Sequence, residues 1–229
     1  PSYRLDGKRA VGIGGSRGIG LGCAGALAEQ GASVVIVARS KGQVFETVNE
    51  MKSEGFSVSG APMDVSIIDN VKNLMGEYSD IDILVNSAGI ARHTPTVDTT
   101  ELDFDDVMSV NVRSAYFLAQ SAAKQMISKG TGGSIIQISS QMAHVGGIDR
   151  AVYCGTKHAI EGINKSMAIE FGPHKIRVNS ICPTFIRTPF TEPTFKDPEK
   201  VKWIESKIKV GRVGEVEDIM GAVKFLASD

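Results

Sequence analysis

Strand-like and helix-like segments alternate along almost the whole chain of 229 residues. Strand-like segments occupy residues 9–14, 33–38, 58–64, 81–86, 134–139 and 176–180, and the second of them has the apolar, mostly β-branched residues of a buried parallel strand. Helix-like segments occupy residues 18–30, 41–54, 67–78, 103–129, 152–171 and 215–227. This order predicts an α/β fold, a doubly wound parallel sheet between two layers of helices that form a three-layer αβα sandwich.

The length predicts one domain over residues 1–229, since no linker or repeat interrupts the alternation. Residues 183–200 carry four prolines, so we expect a loop or a broken helix there, within a substrate loop at about residues 184–212. Because ligands bind beyond the carboxyl ends of parallel strands, the residues that follow each strand are the candidates for function.

Composition excludes several classes of partner. The chain is 42% hydrophobic and has a net charge of −1, which is typical of a globular protein that binds neither nucleic acid nor an anionic membrane. No apolar run approaches the roughly 20 residues of a membrane span, and the N-terminus lacks a signal-peptide core. Three widely spaced cysteines (Cys23, Cys154, Cys182) indicate reduced thiols in a cytoplasmic protein, with no disulfide and no metal site.

A glycine-rich turn, IGGSRGIG at residues 13–20, follows the first strand. The strict G-x-G-x-x-G fingerprint is absent, but Gly14, Gly18 and Gly20 remain. Glycines let the backbone approach a pyrophosphate, and the following helix N-terminus offers free N–H groups. The turn therefore predicts a dinucleotide site; the alternative is a turn that serves packing only.

A second group of residues has the composition of an acid–base site. Tyr153 and Lys157 are four residues apart in a helical stretch and share a face. Ser140 follows a strand, and Asn111 lies in the long helical segment. A nearby ammonium favours the phenolate, so we expect the pKa of Tyr153 to be lowered toward working pH.

In a site of this kind, a serine hydroxyl can hold the substrate oxygen, and an asparagine can fix water near the lysine and open a proton relay. Each of the four residues also has an ordinary alternative as a buried, surface or strand-end side chain. Ser139 competes with Ser140, but the spacing to the tyrosine favours Ser140.

The spacing G-x-x-x-G-x-G, together with Asn111, Ser140, Tyr153 and Lys157, is similar to that of the short-chain dehydrogenase/reductase family. The family usually has threonine where this chain has Ile13. The resemblance implies a Rossmann fold, hydride transfer with a nicotinamide cofactor, and these four residues as the catalytic set. It also implies that the lysine binds the nicotinamide ribose.

Further motifs extend the resemblance across the chain. Asp64–Val65 resembles the family's adenine site, although Asp64 has the alternative role of a helix N-cap. The sequence NSAG at residues 86–89 resembles N-N-A-G, and CPTFIRTP at residues 182–189 resembles the P-G-x-x-x-T segment beside the nicotinamide. Thr184 replaces the usual glycine there, and it would be strained if that glycine has a positive φ.

The second strand ends with a cation where NAD enzymes usually carry an acid. Alanine occupies the position of the acid, at Ala38, and Arg39 and Ser40 follow. Arg17 in the glycine-rich turn faces the same region. Guanidinium groups bind a 2′-phosphate in bidentate fashion, so the pair predicts NADP(H) as cofactor. The alternatives are two solvated arginines or dual specificity for both nucleotides.

Motif and resemblance together imply a set of cofactor contacts, namely Gly14, Ser16, Arg17, Gly18, Ile19, Gly20, Arg39, Ser40, Asp64, Val65, Asn86, Ala88, Gly89, Tyr153, Lys157, Pro183, Ile186 and Thr188. The substrate is expected to contact Ser140, Tyr153, Gln141 and His144, with Met142, Val145, Arg150, His93 and the segment 185–203 around it. Several of these side chains form hydrogen bonds, which favours a small polar substrate such as a sugar, polyol or keto acid.

The sequence therefore predicts an NADP(H)-dependent oxidoreductase that interconverts a ketone or aldehyde and a secondary alcohol. The resemblance includes 3-oxoacyl reductases and sugar or polyol dehydrogenases, and it implies a homotetramer or homodimer. Alternatives are a 3-oxoacyl-thioester reductase, a non-catalytic NADPH-binding sensor, and a dehydratase or epimerase. The chain stops at FLASD, where the family continues with a T-G segment and a last strand, so we expect a shortened protein or an unobserved end.

Overall fold

A computed structural model describes residues 2–229 of the chain. Within them, six parallel strands form one sheet in the order β3-β2-β1-β4-β5-β6. The strands are β1 (Arg9–Ile13), β2 (Ser33–Ala38), β3 (Val58–Pro62), β4 (Ile83–Asn86), β5 (Gly133–Ile138) and β6 (Ile176–Ile181). The predicted strands are therefore confirmed, with boundary shifts of one or two residues.

The helices follow the predicted alternation. They are α1 (Gly18–Glu29), α2 (Lys41–Ser53), α3 (Ile68–Glu77), α4 (Glu101–Met108), α5 (Ser114–Lys129), α6 (Ala151–Phe171), α7 (Glu192–Phe195), α8 (Pro198–Lys207) and α9 (Glu217–Ala227). The proline-rich segment is a broken helix, since α7 lies within it and α8 begins in it. Asp197 begins α8, because its carboxylate accepts hydrogen bonds from the backbone N–H groups of Glu199 and Lys200.

Both faces of the sheet are covered, which confirms the three-layer sandwich. One core cluster packs α1, α2 and α9 on one face, and a second packs α3, α5 and α6 on the other. Successive strand residues point to opposite faces. In β2, for example, Val34 and Ile36 belong to the first cluster, while Val35 and Val37 belong to the second.

The long helical segment predicted for residues 103–129 is not a single regular helix. It begins at Glu101, and a π-helical turn at Ser109–Arg113 separates α4 from α5. Asn111 lies in this turn and is buried. π-helical turns often occur at functional sites, where the extra residue changes the direction of a side chain.

The strand order places the candidate residues at one edge of the sheet. The chain runs outward in opposite directions from β1 and β4, so the carboxyl ends of these neighbouring strands flank a crevice. The glycine-rich turn follows β1, and residues 87–90 follow β4. No helix among residues 2–229 has the length and apolar character that crossing a membrane requires.

Candidate active site

A cleft of about 700 Å³ lies at the carboxyl edge of the sheet and is lined by most of the predicted site residues. Those of the cofactor set are Gly14, Ser16, Arg17, Gly18, Ile19, Arg39, Ser40, Asp64, Val65, Ala88, Gly89, Tyr153, Lys157, Pro183, Ile186 and Thr188. From the substrate set, Ser140, Gln141 and Tyr153 line it as well. Gly20, Asn86, Asn111 and His144 do not belong to the lining formed by residues 2–229.

Gly14 and Gly20 in the glycine-rich turn are required as glycine for different structural reasons. Gly14 has a φ of +75°, and a Cβ there would lie 3.0 Å from the backbone nitrogen of Ala88. A Cβ on Gly20 would lie 2.1 Å from the carbonyl oxygen of Gly14, so this position needs glycine for packing against the turn. Gly20 thus shapes the site from behind the cleft.

The N-terminal end of α1 has the features that favour an anion. Arg17 is its N-cap, no side chain caps the helix, and its first turn carries no acidic residue. Free N–H groups and the helix dipole favour a phosphate at such a position. Arg17 and Arg39 line the same cleft, and neither forms an ion pair with a carboxylate in the described chain. These groups fit the phosphates of a dinucleotide.

The residues after β3 and β4 complete the half of the cleft that contains the glycine-rich turn. Asp64 accepts hydrogen bonds through Oδ1 from the backbone nitrogen (2.9 Å) and hydroxyl (2.7 Å) of Ser66. It does not cap α3, whose N-cap is Ile67. Asn86 is buried; its Nδ2 donates to Gln137 Oε1 at 2.8 Å, and its Oδ1 accepts from the backbone nitrogen of Ala88 at 3.1 Å. Asn86 therefore holds the lining segment in place.

Ser140, Tyr153 and Lys157 converge in the other half of the cleft. Ser140 is the second residue after β5, and its hydroxyl accepts a hydrogen bond from Met142 N at 3.1 Å. Tyr153 and Lys157 share one face of α6, and Lys157 Nζ lies 5.6 Å from the centroid of the Tyr153 ring. Lys157 Nζ donates to the carbonyl oxygen of Ile138 at 3.0 Å, which anchors the amine at the end of β5.

Asn111 lies behind this group and acts on the backbone. Its Oδ1 accepts from Ile90 N at 2.8 Å, and its Nδ2 donates to Ile90 O at 2.9 Å and to Thr156 Oγ1 at 3.2 Å. Thr156 Oγ1 in turn donates to the carbonyl oxygen of Tyr153 at 2.7 Å. The amide of Asn111 thereby joins the segment after β4 to the helix that carries the tyrosine and the lysine.

Burial has the largest effect on the pKa values of Tyr153 and Lys157. It raises the pKa of Tyr153 above its ordinary value, while the Ser140 hydroxyl and the charge of Arg150 act in the opposite direction. Burial also lowers the pKa of Lys157 to about 8. The expectation that the pKa of Tyr153 is lowered is not met in this structure, because desolvation of the phenol outweighs the neighbouring groups.

The open end of the cleft carries the polar groups expected for substrate. His93, Gln141, Met142 and Arg150 line it. Arg150 Nη1 lies 3.3 Å from His93 Nε2, and the His93 and Tyr153 rings meet edge to face at 6.1 Å. Burial, followed by the charge of Arg150, lowers the pKa of His93, which favours the neutral imidazole beside the guanidinium.

The segment after β6 closes the cleft over the glycine-rich turn. Ile186 pairs with Gly214 in a parallel bridge, and a Cβ on Gly18 would lie 3.3 Å from Thr188 Cβ. Between residues 2 and 229, positive φ angles at non-glycine positions occur only at Asp149 and Lys175. Thr184 consequently adopts an ordinary backbone conformation, and the strain considered for it is absent.

Several residues of the site were not singled out from the sequence. Gln43, Met63 and Ile90 line the cleft without belonging to a motif. Thr47 is buried on α2, and its hydroxyl donates to the carbonyl oxygen of Ser16 at 3.3 Å, which fixes the glycine-rich turn. A polar residue within the buried face of α2 is the signal that could have indicated this role.

Comparison with known proteins agrees with this geometry. A sequence model for the family described as enoyl-(acyl carrier protein) reductase matches residues 12–229. L-xylulose reductase from Bos taurus is 36% identical over 226 residues, which cover 99% of this chain and 91% of the relative. Gluconate 5-dehydrogenase from Gluconobacter oxydans is 36% identical over 230 residues, which cover 99% and 90%.

A crystal structure of a gluconate 5-dehydrogenase from Burkholderia cenocepacia, in complex with NADP and tartrate, superimposes with a TM-score of 0.95. It is 34% identical, and the match covers 99% of this chain and 90% of that one. Fold, site geometry and these matches agree over nearly the whole length. The chain belongs to the short-chain dehydrogenase/reductase family.

Proposed function

We propose that the chain, as a single domain over residues 1–229, is an NADP(H)-dependent oxidoreductase that interconverts a carbonyl compound and a secondary alcohol. The observation that carries this proposal is the convergence of Ser140, Tyr153 and Lys157 in one cleft with an uncapped helix N-terminus and two unpaired arginines. The favoured substrate is a small polar molecule of the sugar, polyol or sugar-acid class.

The proposed chemistry divides between proton and hydride. NADPH, when bound, supplies the hydride. Tyr153 donates the proton to the carbonyl oxygen, and its raised pKa keeps the phenol in the protonated form that reduction needs. The hydroxyl of Ser140 donates a hydrogen bond to the same oxygen. Lys157 stabilises the phenolate that remains, and its free donors bind ribose hydroxyls.

Arg17 and Arg39 support the preference for the phosphorylated nucleotide. Both side chains line the cleft, and Ala38 leaves no carboxylate to repel a 2′-phosphate. A guanidinium binds a phosphate by paired, charge-assisted hydrogen bonds. The similar gluconate 5-dehydrogenase from Burkholderia cenocepacia contains NADP, which agrees with this assignment.

Arg150 supports a substrate with negative charge. Its guanidinium contacts His93 at 3.3 Å and has no carboxylate partner within the described residues. An unpaired cation that lines the same cleft as the proposed proton donor matches the carboxylate of a keto sugar acid. Relatives named for xylulose and for gluconate stand at the same level of identity, so the charge of the substrate is the property to test first.

The test of catalysis is NADPH oxidation with a panel of ketoses, keto sugar acids and 3-oxoacyl thioesters. Tyr153→Phe should lower kcat by at least about 100-fold while NADPH affinity is retained, because only the proton donor is lost. Tyr116→Phe, a change on an exposed face of α5, is the matched control and should keep full activity. Activity retained in Tyr153→Phe would overturn the proposed role. Tight NADPH binding without turnover on any member of the panel would identify a sensor.

The test of cofactor preference compares NADPH and NADH with Arg39→Asp. We expect kcat/KM with NADPH to fall by roughly 10- to 100-fold, since hydrogen bonds to charged groups contribute about 1.5–3 kcal/mol each. The kcat/KM with NADH should stay the same or rise. Arg113→Asp, on the exterior of the π-helical turn, is the control for a reversed charge. Equal losses with both nucleotides would contradict the phosphate assignment.

Exposed apolar side chains on α4 and α6 support an assembly of several copies. Leu102, Phe104 and Ile169 are 73%, 46% and 79% exposed, respectively. Such side chains are typical of surfaces that become covered by another protein. Light scattering of the purified protein should give the mass of a dimer or tetramer, whereas a monomeric mass would exclude this assembly.

A further inference from the structure

Three side chains with different metal-binding atoms meet behind the cleft. His144 follows the helical turn after Ser140, Glu161 lies on α6, and Cys182 directly follows β6. One nitrogen, one carboxylate oxygen and the sulfur of these residues all lie within 4.8 Å of one another. We propose that His144, Glu161 and Cys182 form a binding site for a Zn²⁺ ion.

The three groups suit zinc better than other common divalent ions. Imidazole, carboxylate and thiolate are the ligand types that Zn²⁺ takes, whereas Ca²⁺ and Mg²⁺ take oxygen ligands. With Zn–S and Zn–O bonds of about 2.3 and 2.0 Å, a tetrahedral site separates sulfur and oxygen by about 3.5 Å. Cys182 Sγ and Glu161 Oε1 are 3.7 Å apart, so this edge already has the required length.

A small movement of the His144 side chain would complete the set of three zinc ligands. The remaining separations are at most 4.8 Å, so they exceed the tetrahedral spacing by no more than about 1.3 Å. His144 lies at the exposed end of a short helical turn, where a rotation of the side chain supplies this shift. Its exposure also leaves the fourth coordination position open to solvent.

Two further hydroxyls support the ligands from outside the metal shell. Ser180 Oγ donates to Glu161 Oε2 at 2.7 Å, which turns Oε1 toward Cys182. Ser139 is 5% exposed, its hydroxyl lies beside the Cys182 thiol, and it has no hydrogen-bond partner elsewhere in residues 2–229. A buried hydroxyl without a hydrogen-bond partner is unfavourable. A metal-bound thiolate at Cys182 would accept a hydrogen bond from it.

The site links three segments that carry parts of the cleft. His144 belongs to the segment of Ser140, Glu161 lies one helical turn after Lys157, and Cys182 precedes Pro183. Binding replaces the S–H bond of Cys182 by a Zn–S bond and releases one proton to solvent, with no change of oxidation state. A bound ion therefore holds these segments together without entering hydride transfer.

The test uses Co²⁺ as a spectroscopic substitute for Zn²⁺ on the full chain after treatment with a chelator. Titration should produce a thiolate-to-cobalt charge-transfer band together with the visible bands of tetrahedral Co²⁺, and Zn²⁺ should abolish both. Cys182→Ser should eliminate the charge-transfer band. His144→Ala and Glu161→Gln should each weaken Co²⁺ binding by at least about tenfold, by analogy with the loss of supporting ligand groups.

Matched controls replace the same residue types outside the site, in Cys154→Ser, His174→Ala and Glu170→Gln, and they should titrate as the unaltered chain does. Zn²⁺ should also raise the Tm of the unaltered chain and leave that of Cys182→Ser unchanged. The absence of a charge-transfer band in the unaltered chain, or its persistence in Cys182→Ser, would overturn the proposal. These measurements need no turnover, so their outcome is independent of the proposed oxidoreductase activity.

Discussion

The buried amine of Lys157 should destabilise the folded chain at neutral pH. Its side chain is almost fully buried, and desolvation lowers its pKa from 10.5 to about 8. The unfolded chain therefore binds more protons than the folded chain between these two values, so stability rises with pH across this window. The two pKa values correspond to a penalty of about 3 kcal/mol near neutral pH, which disappears above about pH 10.5.

Lys157→Met removes the titrating group and keeps much of its volume. The change also removes the hydrogen bond from Nζ to the carbonyl oxygen of Ile138, and an unpaired buried acceptor costs about 1–3 kcal/mol. We therefore expect the variant to be as stable as the unaltered chain, or more stable by up to about 2 kcal/mol, near pH 7. Between about pH 7 and 9.5 the unaltered chain should gain about 2 kcal/mol relative to the variant.

Denaturant unfolding of both proteins at the two pH values measures this difference. Other groups titrate in the same range: burial raises the pKa of Cys23 to about 12, which makes stability fall at high pH. That contribution is common to both proteins and cancels in the comparison, provided that the m values agree. Parallel pH dependence of the two free energies of unfolding would refute the reasoning, because it would mean that the amine is not desolvated in the folded chain.

Two further substitutions test the cleft. Gly20→Ala should lower the free energy of unfolding by about 1–3 kcal/mol or more and weaken nucleotide binding, because its Cβ meets the carbonyl oxygen of Gly14 at 2.1 Å. Gly25→Ala on the same helix has open space and should be neutral or stabilising in the same thermal denaturation experiment. Arg150→Gln should raise KM for keto sugar acids about tenfold and leave KM for neutral ketoses unchanged, since it removes charge and keeps polarity; equal effects on both substrate classes would argue against a carboxylate at this position.

The sequence predicts the sheet well because the information is local. The central strands β1, β2 and β4 are mostly apolar, and burial on both faces explains why they lack alternation. The glycine-rich turn and the pair Tyr153 and Lys157 are equally local, because spacing alone places them at a strand end or on one helix face. The boundaries shift by a residue or two, since helix and strand ends depend on caps and neighbours.

What the sequence could not provide depends on contacts between distant segments. The π-helical turn around Asn111 accompanies a contact with Ile90, 21 residues earlier. No pattern in the local sequence predicts this turn. The raised pKa of Tyr153 in this structure could not be predicted, because residue spacing does not reveal how deeply a phenol is buried. His144, Glu161 and Cys182 come together only through folding, as their separations of 17 and 21 residues match no metal-binding motif.

The position of Lys157 shows how the fold accommodates a residue that stability alone disfavours. The ammonium has three donors, and the hydrogen bond to the carbonyl oxygen of Ile138 uses one of them, while the amine lines the cleft. Methionine would fill the same space without the desolvation penalty. A lysine is useful here only where its charge and remaining donors act on something in the cleft, such as a phenolate or ribose hydroxyls. The unfavourable burial of this amine is thus itself an argument for function, and its physical origin is the desolvation that lowers the pKa.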